Sequence, residues 1–237
     1  MHSVPAASLF AFFIALSELK AKEPDLSSPK ATLLSYVEAV EAGDYATAKH
    51  CWVIDGKDQD GAMEVVVGLW TSSRRARLAV IQKFGKVGIE ALGKFARPDV
   101  SDEALDRTLN RIKDSEAEIK GDKASLQIRW KKDDGFPNDV FLFSKEPLPF
   151  RKVGATWLLD ATASAGGDAK SVLEPGTWGP LFRDYTKMLN EAADGLGSGK
   201  LKTKDDVSGL IEERGKAAAK RYEDALREKP IKPKNRP

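Results

Sequence analysis

A single cysteine, Cys51, in 237 residues excludes an intrachain disulfide and every metal site built from several thiolates. Histidine is almost as scarce: His2 and His50 are the only two, too few to replace the missing thiolates. His50 and Cys51 are neighbours, and on a helix adjacent side chains diverge by about 100°, so they do not make a base and nucleophile pair. Cys51 reads instead as a small buried hydrophobe. Net charge is lacking too. Thirty-eight Lys and Arg against 36 Asp and Glu leave +2, so no global field draws nucleic acid or an anionic membrane surface.

The apolar run from Ala6 to Leu16, in MHSVPAASLFAFFIALSELKA, is too short to span a bilayer. Its length suits the core of a signal peptide, and Ala21 supplies a small residue where such a leader is cut. No Lys or Arg precedes the run, which leaves the amino terminus and His2 to carry the positive charge. Residues 1–21 are therefore expected to be a signal peptide, and the mature chain to be extracytoplasmic, periplasmic or secreted, with no stable membrane span.

What is present is an ordinary globular composition, 41% hydrophobic and 31% charged, enough for one substantial core and an appendage. Ser28 and Pro29 open a helix, with Leu33, Tyr36, Val37 and Val40 on one face. Gly43 stops it, and Asp44 caps a short second helix whose Ala48, Cys51 and Trp52 are expected to share a face. IDGKDQDG, residues 54–61, reads as a loop; its Asp55, Asp58 and Asp60 lack the closing glutamate of a calcium frame, so no metal is assigned. Residues 62–96 look helical, with an interruption expected at TSSRR near residue 72, whose Arg74, Arg75 and Arg77 read as a solvated face. Ser101 caps a further helix, with Val100 and Leu105 as a staple.

The period then changes from 3.6 to 2. AEIKGDKASLQIRW, residues 117–130, gives two alternating runs joined at Gly121-Asp122, a two-residue hairpin signal. DVFLFSKEPLPFRKV, from residue 139, is a third strand in which Pro147 and Pro149 imply a bend or an edge; TWLLDA is the fourth. Helices first and an antiparallel meander afterwards predict an α+β domain, helices packed on a curved sheet, over 28–162. Residues 163–176 read as a linker, and 177–228 as a pair of amphipathic helices. KPIKPKNRP, 229–237, reads as a disordered basic tail.

SYVEAVEAGDYATAKHCW, the hairpin around Gly121 and PFRKVGATWLLDAT together resemble the nuclear transport factor 2-like superfamily, a cone of helices wrapped on a curved sheet, and in particular its uncharacterised secreted bacterial members. The shared signals are Ala39 to Asp44 (A-x-x-x-G-D), Gly121 to Ala124 (G-D-x-A) and Lys152 to Trp157. In that superfamily, ketosteroid isomerase-like enzymes place an oxyanion-binding tyrosine where Tyr36 stands. The resemblance therefore implies a cone cavity with Tyr36, Trp52, Trp130, Trp157 and Asp160 as lining candidates.

An isomerase also needs a carboxylate base facing that tyrosine. Asp55 and Asp58 lie in a polar loop, and alternation turns Asp160 away from inward Trp157 and Leu159, so that it is expected to end its strand in water. No catalytic residue and no cofactor is assigned. The reading favoured is a non-enzymatic scaffold for an unknown protein or a small apolar ligand, with a homodimer as a further option and no nucleic acid. The alternative is acid-base chemistry of the isomerase, hydratase or cyclase kind in the cone, and an open cone holding Tyr36 and a carboxylate in one space would favour it.

Overall fold

In the computed structural model, residues 23–95, 102–128, 147–160 and 177–228 are described, with side chains from 105 onward in the second stretch. The signal peptide, Val100 and Ser101, Trp130, the linker and the tail lie outside these residues.

The first elements follow from their caps. Ser28 Oγ accepts from Ala31 N at 3.1 Å and Pro29 opens α1 (Pro29–Glu41). Asp44 accepts from Thr47 N at 3.0 Å and from its hydroxyl at 2.7 Å, opening α2 (Tyr45–His50). Between them the chain turns at Gly43, whose φ is +71°. A Cβ built on Gly43 would stand 3.0 Å from Arg75 Cβ and 3.1 Å from Arg75 Cα and N, so both the dihedral and the space require glycine. Gly43→Ala is expected to cost about 2 kcal/mol or more, read as a lowered midpoint in urea unfolding with the slope unchanged.

Cys51 ends α2, and Trp52 leaves the expected helix face to enter a two-residue strand, β1 (Trp52–Val53). The expected loop at 54–61 is shorter than its sequence suggested. A 28-residue helix, α3 (Lys57–Phe84), begins inside it and runs unbroken through TSSRR. Tertiary contacts there outweigh weak local propensity. Arg74 Nε donates to the Glu41 carbonyl of α1 at 2.9 Å, and Arg75 to Asn190 and Asp194 further along the chain. Arg74 is a half-buried clamp between helices and Arg77 is buried, while Arg75 stays exposed as expected, paired to Asp194 at the surface. The break falls instead at Gly85, φ +73°, after which Lys86–Phe95 is a 3-10 segment kinked at Gly93.

After α4 (Asp102–Asp114) come β2 (Ala117–Lys120), β3 (Lys123–Leu126), β4 (Leu148–Val153) and β5 (Thr156–Asp160). Two-residue turns at Gly121-Asp122 and Gly154-Ala155 join the hairpins, each with its glycine at positive φ. The sheet order is β1-β5-β4-β3-β2. It is mixed rather than a pure meander, because β1 pairs parallel to β5, Trp52 beside Leu159 and Val53 beside Asp160. Two residues are too few for an alternation to be legible. Leu26 covers the rest of the β5 edge, its carbonyl accepting from Trp157 N at 2.8 Å. Pro149 sits within β4, and the β4–β5 ladder ends one residue before it, at Phe150 beside Leu159, as a missing N–H requires.

Helices α1, α2 and α4 close over one sheet face around Leu33, Tyr36, Trp52, Ile112, Leu126, Phe150, Trp157 and Leu159. A second core lies around α5 (Trp178–Gly197) and α6 (Lys204–Glu228), whose Tyr185, Met188, Leu189, Ala192, Val207 and Ile211 meet Ala76, Val80, Ala91 and Leu92. Thr203 caps α6, its hydroxyl accepting from Asp206 N at 3.1 Å while the Asp206 carboxylate accepts from Thr203 N at 2.8 Å. Helix α3 serves both cores: Met63 and Val67 in the first, Ala76 and Val80 in the second. The α+β architecture, helices on a sheet with a C-terminal helical extension, is the one the sequence pattern predicts.

Candidate functional site

The aromatic candidates gather on the helix-covered face of the sheet. Tyr36 projects from α1 against Trp52 of β1, ring centroids 5.6 Å apart and nearly perpendicular, and both are buried with Trp157. Thr32, one turn earlier on α1, donates its hydroxyl to the Trp157 carbonyl at 2.6 Å, tying the helix to β5. Burial, and secondarily Cys51, pushes the Tyr36 phenol well above its ordinary range, so it stays protonated at any physiological pH. Cys51 is fully buried, its Sγ 3.4 Å from the Thr47 carbonyl. Its thiol is pushed up to about 12, by burial first and then by Asp44. A thiol so held is not a nucleophile at neutral pH.

The carboxylates lie on the other face. Because β5 alternates, Asp160 points away from Trp157 and Leu159, as expected, but it does not end in water: it is 9% exposed. Arg151 of β4, on the same outer face, sets its Nε 3.5 Å from Asp160 Oδ2 and donates from Nη2 to Asp55 Oδ2 at 2.5 Å. Asp55 reaches this position from the turn after β1, its own N–H donating to Gln59 Oε1 at 2.6 Å. The Asp55 carboxylate, more than Asp160, raises Arg151 above its usual value. Arg151 thus bridges two acids, so that three chain segments meet at one cluster. No sequence motif marks Arg151 as a site residue, although the alternation of PFRKV, which turns Phe150 inward, already sets it on the polar face.

The remaining loop acids are also engaged or placed by the fold. Asp60 pairs with Lys49, and Asp58 and Asp60 both fall in the first turn of α3, where negative charge favours the helix end. Among the described residues no three His, Cys, Asp or Glu side chains gather in a metal-binding group. No helix there is long and apolar enough to cross a membrane.

Two further polar places stand out. Between α1 and α3, Arg74 Nη2 lies 3.0 Å from Glu41 Oε2, an ion pair rather than an aligned hydrogen bond. Burial raises the Glu41 carboxyl, and Arg74 and then Arg77 oppose the rise. At the end of α4 a cleft of about 400 Å³ is lined by Arg111, Asp114, Ser115, Glu116 and Gln127. The lining mixes charges of both signs, and Ser115 is spent on the α4 terminus, its hydroxyl donating to the Ile112 carbonyl at 2.6 Å. Neither place contains Tyr36, Trp52 or Trp157. No family model, curated protein or solved structure matches the chain.

Proposed function

We propose that the chain is a non-enzymatic, extracytoplasmic binding or interaction scaffold of the nuclear transport factor 2-like kind. One observation carries the non-enzymatic reading. Tyr36 is on the helix-covered face of the sheet, while Asp55 and Asp160 are on the opposite face with Arg151 between them. Acid-base catalysis needs a donor and a base that reach one substrate, and a sheet separates these two. The arginine also stands within ion-pair distance of both acids, an arrangement that serves cohesion better than proton transfer. The leader-like N-terminal run supports the extracytoplasmic address, and the cap, hairpin and closing-strand motifs support the family.

The test is native mass spectrometry of protein isolated from the periplasm or medium of its own host, with Tyr36→Phe and Asp160→Asn beside the wild type. A retained partner or apolar ligand, held equally by Tyr36→Phe, is the expected result. Turnover of a small molecule that either substitution abolishes, in protein that still melts cooperatively, would replace the scaffold with an acid-base enzyme.

A further inference from the structure

Strand β2 is the last strand of the sheet. Among the described residues no strand pairs with its outer side, and its Ile119 is 56% exposed. An uncovered edge is a template for another strand, and the sequence of this one determines which strand it accepts.

Backbone direction comes first. Lys120 and Lys123 flank a two-residue turn, so they form a hydrogen-bonded pair, and alternation makes Glu118 and Ser125 the next. The other side of β3 agrees, since the Asp122 carbonyl accepts from Lys152 N of β4 at 2.7 Å. The N–H and C=O of Ala117 and Ile119 therefore point outward. Charge comes second. Glu118 and Lys120 share one face of β2 and pair with each other at 2.6 Å, both largely exposed.

We propose that β2 pairs antiparallel with β2 of a second copy of this chain, about a two-fold axis at Ile119, joining two five-stranded sheets into one. Ile119 then exchanges both backbone hydrogen bonds with its symmetry mate, and the two Ile119 side chains shield each other on one face. On the other face Glu118 stands opposite the mate's Lys120, twice, in the closer non-hydrogen-bonded position. No neighbouring register does this. Pairing Ala117 with Ile119 uses the same outward groups but sets Glu118 against Glu118. The charges that repel arbitrary strands thus admit a second copy in one alignment. The edge alone buries less than the roughly 1,200 Å² of a stable interface, so the dimer is weak and concentration-dependent. In it both Arg151 faces lie on the same side of the joined sheet, giving a bivalent scaffold.

Sedimentation velocity from low micromolar to submillimolar protein tests this. The wild type shifts from monomer to dimer as concentration rises. Glu118→Lys and Lys120→Glu each set like charges opposite and weaken association by about tenfold or more, with circular dichroism unchanged. The double swap Glu118→Lys with Lys120→Glu restores it, and mixing the two single variants yields a heterodimer. A wild type that stays monomeric throughout, single variants that still dimerise, or a double swap that fails to recover would each overturn the proposal.

Discussion

Deleting residues 177–228 will abolish the cooperative thermal transition of the chain rather than trim an appendage from it. Helix α3 buries Ala76 and Val80, and the 3-10 segment buries Ala91 and Leu92, against Met188, Leu189, Ala192, Val207 and Ile211. Met188, Leu189 and Val207 are at most 1% exposed. Each large apolar side chain of this kind contributes about 1.5–3 kcal/mol by burial, and several lost together rival the ~5–15 kcal/mol by which a whole domain is stable. The damage is not confined to the second core, because α3 carries Met63 and Val67 into the first. Far-UV circular dichroism should show a broad, early melt, with dye binding to the bared face. A sharp transition near that of the intact chain would mean that the sheet domain folds alone.

Phe150→Ala will be among the most damaging single substitutions in the sheet. Phe150 is 1% exposed on β4, with Ala124 of β3 on one side and Leu159 of β5 on the other. Removing a ring so enclosed leaves a cavity that its neighbours fill only in part, at a cost of about 3–5 kcal/mol. For a chain of this size that lowers the melting temperature by on the order of 10 °C. Val153→Ala on the same strand is the control. Val153 is 49% exposed, and its loss should change stability by no more than about 0.5 kcal/mol. Equal effects at the two positions would mean that β4 is not packed as described.

Much of the fold was written locally. Ser28 with Pro29 and Asp44 opened α1 and α2, Gly121-Asp122 turned the hairpin, and the amphipathic pair expected over 177–228 became α5 and α6. Each signal needs only its near neighbours in the chain, because a cap satisfies N–H groups two or three residues away and a two-residue turn has few options. The errors share the opposite property. TSSRR predicts a break because serine and threonine are indifferent helix formers, yet Arg74 and Arg75 bind residues 33, 115 and 119 positions away. Strand β1 carries no local signal, because its partner, β5, lies more than a hundred residues on.

The candidate site divides the same way. From sequence alone, Tyr36, Trp52 and Trp157 could be set in the core and Cys51 made an inert thiol, since apolar periodicity fixes which side of an element is buried. The same alternation fixed the face on which Asp160 stands. What it could not fix was the environment of that face: Asp160 avoids water because β4 brings Arg151 beside it and β1 lies along its edge. Periodicity is a property of one strand, and burial of a charge depends on its neighbours. The sequence by itself determined the capped helices, the hairpins, their inward faces and the α+β class. Only the tertiary structure decided that Arg151 and Asp55 meet Asp160 on that outer face, because their meeting depends on pairings between distant segments, which no local pattern encodes.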